Sequence, residues 1–131
     1  MSGIEGFQAM QGLEVGYRKS LRILKENLDT RMAMKAASVV GCLILALLED
    51  LQRRIPSRDI LFEELGWRNK YNIHISTGLS QKVIYRESGI IEKLVTLGIL
   101  EMKDAPSHWG QQKSHYRISG GFVQDWLVVE T

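Results

Sequence analysis

Between Thr30 and Arg54 the apolar residues recur with the period of a helix and cover most of its circumference. Ala36, Val40, Leu43, Leu47 and Leu51 make one stripe, and Val39, Ile44 and Leu48 widen it. A stripe that broad must be buried on most sides. The spacing therefore predicts a central core helix against which the other elements pack. Thr30 is the expected N-cap. Pro56 stops the helix, because proline cannot continue it and biases Ile55 toward extended geometry. The longest apolar block, Ala36–Leu48, has 13 residues and contains Ser38 and Gly41. That length is short for a membrane span and suits a core helix.

The flanks read as smaller helices. Tyr17, Leu21, Leu24 and Leu28 share one helical face, with Arg18, Arg22 and Lys25 on other faces. After Pro56, Ser57 is placed to cap a short helix, Arg58–Leu65, closed by Gly66. Trp67–Ser76 is polar and irregular, and the alternation of Ile73 and Ile75 suggests a brief strand. Met1–Gly16 is rich in glycine and supports no assignment. After Gly120 and Gly121, Phe122–Val129 is apolar. Phe122 and Trp126 suit a helix, whereas Leu127–Val129 suit a strand.

From Thr77 onward the order is distinctive. Ser80 is expected to cap a helix running to Gly98, with Ile84, Ile91, Leu94 and Val95 as its apolar face. Ser88-Gly89 is the place for a break, with Ser88 as a second cap. Ile99–Lys103 and Ser114–Ser119 each alternate, and the polar segment Asp104–Lys113 lies between them, which predicts a β-hairpin.

The run Thr77-Gly78-Leu79-Ser80, then a helix, then Leu94-Val95-Thr96-Leu97-Gly98-Ile99-Leu100, resembles the core signature of winged helix-turn-helix proteins. The resemblance covers about 33–119. It implies a mainly α fold with a small β-hairpin: a three-helix core plus a wing, with extra N-terminal and C-terminal segments. The expected division is an N-terminal arm and amphipathic helix (1–29), a winged helix domain (30–119) and an apolar C-terminal segment (120–131). The recognition helix is expected at about 80–97 and the wing at about 99–119. In such a protein the helix would enter the major groove of DNA. The residues expected to contact DNA are Thr77, Ser80, Gln81, Lys82, Tyr85 and Arg86 on the turn and helix. On the hairpin they are Lys103, His108, Trp109, Gln111, Gln112, Lys113, His115 and Arg117. Gln can pair with adenine and Arg or Lys with guanine, while Thr77 and Ser80 suit phosphate.

Composition sets bounds and does not choose the partner. A chain of 131 residues fits one modest core, and its net charge of +2 is weak for a nucleic-acid binder. Tyr17–Lys35 is more basic, with Arg18, Lys19, Arg22, Lys25, Arg31 and Lys35 against Glu26 and Asp29. Cys42 is the only cysteine, so no internal disulfide forms, and its apolar surroundings suggest a buried thiol. The N-terminus lacks a basic segment followed by an apolar one. An intracellular protein, cytoplasmic or nucleoid-associated, is expected. No metal, cofactor or membrane is implied, and His74, His108 and His115 lack the spacing of a helical metal site. No G-x-S-x-G, phosphate loop or His-Glu-x-x-His occurs. The expectation is a non-enzyme that binds double-stranded DNA, a transcription regulator acting as a homodimer. The alternative is a winged helix used for protein contact within a larger assembly, or a replication or partition protein.

Overall fold

The computed structural model describes residues 16–54, 64–86, 89–106 and 112–120. Helix α1 covers 16–27, and α2 covers Thr30–Arg54. A two-residue strand, β1 (Arg68–Asn69), leads into α3 (Lys70–Thr77). Helices α4 (Gln81–Tyr85) and α5 (Ile90–Thr96) follow. The hairpin is β2 (Leu100–Pro106) with β3 (Gln112–Ile118). The described fold is mostly helical, with one small antiparallel sheet in the order β1-β3-β2.

Helix α2 is the core helix. Ala36, Val39, Val40, Leu43, Ile44 and Leu47 are buried along it. Its cap is Asp29, not Thr30: the Asp29 carboxylate accepts the Met32 N–H at 2.8 Å. A carboxylate is favoured there by the positive end of the helix. The apolar stretch is also longer than the Ala36–Leu48 block suggests. Thr30–Arg53 is 24 residues and is long and apolar enough to cross a membrane by length and composition. In this fold it is the element on which the others converge. Leu24 of α1, Ile73 of α3, Ile84 of α4, Ile91 and Leu94 of α5, and Leu100 and Ile118 of the sheet join one cluster with it.

The segment after Gly66 differs from the expected irregular stretch. Ile73 and Ile75 belong to α3, not to a strand, and fall on different sides of it: Ile73 is buried and Ile75 exposed. Local capping decides this. Asn69 accepts the Asn72 N–H at 2.9 Å. Gly78 closes the helix with φ +74°, its N–H reaching the His74 carbonyl. The brief strand exists two residues before the helix, where Arg68 pairs with Tyr116 and Asn69 with His115. The expected helix Arg58–Leu65 lies largely outside the described residues. Gly66 has φ +82°, and a Cβ there would meet the Leu47 Cβ at 3.2 Å. Both facts favour glycine.

The helix expected over 80–97 is broken at the position where the sequence offered a break, giving α4 and α5. The chain leaves α4 at Arg86, which is extended, and restarts at Gly89. A Cβ at Gly89 would lie 2.8 Å from the Arg86 carbonyl oxygen, so this bend excludes a side chain. The N-cap of α5 is Gly89, with no side-chain cap hydrogen bond, and Ser88 lies outside the described residues. Gly98 ends α5 as expected, with φ +78°. The hairpin forms and runs longer than the alternation suggested, pairing Leu100 with Ile118 and Met102 with Tyr116. The apolar segment Phe122–Val129 and the N-terminal arm lie outside the described residues.

A part-buried polar node joins the sheet to α2. Arg68 donates from Nη1 to Asp50 Oδ2 at 3.0 Å and from Nη2 to Oδ1 at 2.9 Å. The Gly66 N–H donates to the same carboxylate at 2.8 Å. Burial pushes the Asp50 carboxyl up, but the Arg68 and Gly66 hydrogen bonds outweigh it and hold it below its ordinary value of 3.8. A depressed folded pKa stabilises fully above the unfolded value, and that stability is lost as pH falls through the folded pKa. Urea unfolding between about pH 5 and pH 2 should show this acid loss, and Asp50→Asn should remove its share of it. In the core, Leu43→Ala should cost about 2–5 kcal/mol of unfolding free energy, read by the same titration at neutral pH.

Candidate nucleic-acid interface

Three residues, Gly78 to Ser80, separate α3 from α4. Their shape is fixed by nearby polar side chains. The Thr77 hydroxyl donates to the Ile73 carbonyl at 2.7 Å and accepts the Leu79 N–H at 3.2 Å. His74 Nδ1 lies 2.5 Å from the Leu79 carbonyl oxygen, which makes it the donor there. Ser80 accepts the Val83 N–H at 3.2 Å and caps α4, as its sequence position suggested. Thr77 is half-buried, and its hydroxyl is engaged within the turn. It acts as a turn-former.

Ile84 anchors α4 in the core and turns its opposite edge outward. Gln81, Lys82, Tyr85 and Arg86 are all exposed. Two clefts flank that edge. On one side Tyr85 joins Tyr71, Asn69 and Lys70 of the α3 region and Ser114 of β3 around about 250 Å³. On the other, Arg86 joins Arg31 and Lys35 of α2 and Lys93 of α5 around about 370 Å³. Neighbouring residues of one short helix thus serve two different clefts. Glu92 does not neutralise this surface, because it pairs with Lys70 at 2.6 Å. Among the described residues, no carboxylate pairs with Arg31, Lys35, Lys82 or Arg86.

The hairpin residues divide. Lys103 is exposed, with its Nζ 4.3 Å from the centroid of the Trp67 ring. His115 is half-buried and sits opposite Lys103 in register. Arg117 was expected on an exposed ribbon and is instead buried, 6% exposed. Its Nε donates to Glu101 at 2.7 Å, and its guanidinium lies 4.9 Å from the Trp67 centroid. The alternation of the strand placed Arg117 on the face away from the core; Trp67 covers that face, so both faces are shielded there. Gln112 and Lys113 lie on β3. His108, Trp109 and Gln111 lie outside the described residues.

Sequence reading did not single out Arg31, Lys35 or Lys93 as site residues. A signal was present for Arg31. It is a cation in the first turn of a helix, where the helix dipole disfavours positive charge. Trp67 was also missed, because nothing local links it to a strand more than thirty residues later. Cys42 is half-buried rather than buried, and its thiol is pushed up by burial. Among the described residues, no three of His, Cys, Asp and Glu gather as a metal site.

Compared with known proteins, the chain matches no family model, no curated protein and no solved structure.

The Arg117 ion pair should matter for stability. Arg117→Ala leaves Glu101 without its guanidinium partner and takes a cation from the face of Trp67. An unfolding free energy lower by about 1.5–3 kcal/mol is expected in a urea titration.

Proposed function

We propose that this chain is a winged helix-turn-helix protein that binds double-stranded DNA, acting as a homodimeric transcription regulator rather than an enzyme. Two helices joined by a three- or four-residue turn containing glycine make the helix-turn-helix form. The run of α3, Gly78–Ser80 and α4 has that form, and the β2–β3 hairpin follows as the wing. The observation that carries the proposal is the outer edge of α4. Gln81, Lys82, Tyr85 and Arg86 are exposed immediately after the turn, where a recognition helix brings its first residues to base edges.

In this reading Gln81 addresses adenine, Lys82 and Arg86 address guanine or phosphate, and Ser80 and Lys103 address phosphate. The expected contacts of Arg117 and Thr77 are dropped. DNA as the target implies work inside the cell, in the cytoplasm or on the nucleoid. For the dimer, the support comes from α2, where Met34 and Leu45 are exposed. They stand three helical turns apart on one side. The apolar face of α1 adds to it: Leu21 and Leu28 are only partly buried and line a cleft of about 380 Å³ together with Met34.

A second reading has its own observation. Tyr71, Ile75, Tyr85 and Met102 are each about half exposed or more, and Tyr71 and Tyr85 line one cleft. Exposed apolar side chains at one site suit a protein partner. Salt separates the two readings, because phosphate binding releases counterions and protein contact through this patch does not.

Gel-shift titrations with mixed-sequence duplex at two salt concentrations should give an affinity that falls steeply with salt. Lys82→Ala and Arg86→Ala should each weaken binding by about 1–3 kcal/mol without unfolding the protein. Unchanged affinity in both would remove α4 from the groove.

A further inference from the structure

We infer that the cleft between the start of α2 and the α4–α5 bend is a phosphate-binding site, and that it seats a backbone phosphate of the DNA. The identity of the phosphate rests on the DNA reading above; the site itself rests on its own residues. Arg31, Lys35, Arg86 and Lys93 line about 370 Å³, with Val83 and Ile90 as apolar wall. These cations come from three separate helices, so the concentration of charge is made by folding and is not a run in the sequence.

Three observations argue against a merely solvated face. The first is Lys93. It is half-buried, and its Nζ has as partner the Met32 sulfur at 3.2 Å. A thioether is a weak acceptor and leaves the ammonium charge uncompensated. The second is the placement of Arg31 in the first turn of α2, where the dipole disfavours cations. A local rule broken in this way marks function more often than architecture. The third is the balance of charge. Asp29 lines the cleft too, its carboxylate bonded to the Met32 N–H as the α2 cap and still negative. The cleft therefore presents four cations against one carboxylate among the described residues.

The bend supplies the geometry. Because Gly89 restarts the chain, Arg86 leaves the α4 edge toward α2, while Tyr85 remains on the hairpin side. A duplex lying on α4 would meet base-reading groups at Gln81 and Lys82 and a phosphate clamp beyond them. Arg31, Lys35 and Lys93 lie outside the helix-turn-helix segment, so their phosphate contacts add affinity without adding sequence preference.

The test uses the full chain. Arg31→Ala with Lys35→Ala should weaken duplex binding equally for different sequences and flatten the log affinity against log salt slope by about 0.9 for each phosphate lost. Arg31→Lys with Lys35→Arg should keep the wild-type slope. An unchanged slope in the alanine pair, or equal flattening in the charge-preserving pair, overturns the backbone contact. Inorganic pyrophosphate gives an independent reading: it should shift the Gly89 and Ile90 amide resonances of the wild type and not of the alanine pair. If the wild type binds no duplex in a salt-dependent way, the DNA reading fails while a pyrophosphate shift still supports the site. Absence of that shift overturns the site.

Discussion

Helix α2 buries Ala36, Val39, Val40, Leu43 and Leu47 together, and the positions of the other elements follow from that burial. Each neighbour contributes a few side chains to one cluster: Leu24 from α1, Ile73 from α3, Ile84 from α4, Ile91 and Leu94 from α5. None of the shorter helices could stand alone in water, since isolated helices under about 12 residues are marginal even with favourable sequences. Their stability is borrowed from α2. The sheet is tied to the same helix by a different force, the Arg68–Asp50 pair with the Gly66 N–H on the same carboxylate. That pair is half-shielded and has two matched hydrogen bonds, which is the geometry in which an ion pair offsets its desolvation.

The core therefore holds the candidate interface from behind. Ile84 is fully buried and is followed at once by exposed Tyr85 and Arg86. A straight helix through this region would have continued the regular turn of about 100° per residue past Arg86. The bend at Gly89 ends that regularity, and α5 then uses nearly all its length on the core through Ile90, Ile91 and Leu94. The division of labour is physical: α4 exposes polar groups, and α5 buries apolar ones and delivers Lys93 beside Met32.

Much of this was legible in the sequence wherever a single local cause decided the outcome. The period of α2 fixed its role, Ser80 capped α4, Gly98 stopped α5, and the alternation of Leu100–Lys103 and Ser114–Ile118 made a hairpin. The errors arose where two local causes competed. Ile73 and Ile75 alternate like a strand, but Asn69 and Gly78 cap a helix around them, and capping won. Asp29 and Thr30 could both cap α2, and the charged side chain took the position. The break at Ser88-Gly89 was legible because glycine interrupts the helical pattern there; the expected Ser88 cap is replaced by Gly89. Arg117 was misread for a different reason. Its burial depends on Trp67, far away in sequence, covering the outer face of the sheet.

The weak net charge of +2 hides the charge that counts. Among the described residues, Glu92 pairs with Lys70, Glu101 with Arg117 and Asp50 with Arg68. Asp29 and Asp104 are bonded only to neutral donors and stay negative. Ion pairing cancels the first three locally, whereas Arg31, Lys35, Lys82 and Arg86 pair with no described carboxylate. With a screening length of about 8–10 Å at physiological salt, a phosphate in the cleft responds to its immediate neighbours and hardly to the far side of the molecule. A nearly neutral chain can therefore present a cationic surface, provided the fold sorts its acids into ion pairs and its unpaired cations onto one edge.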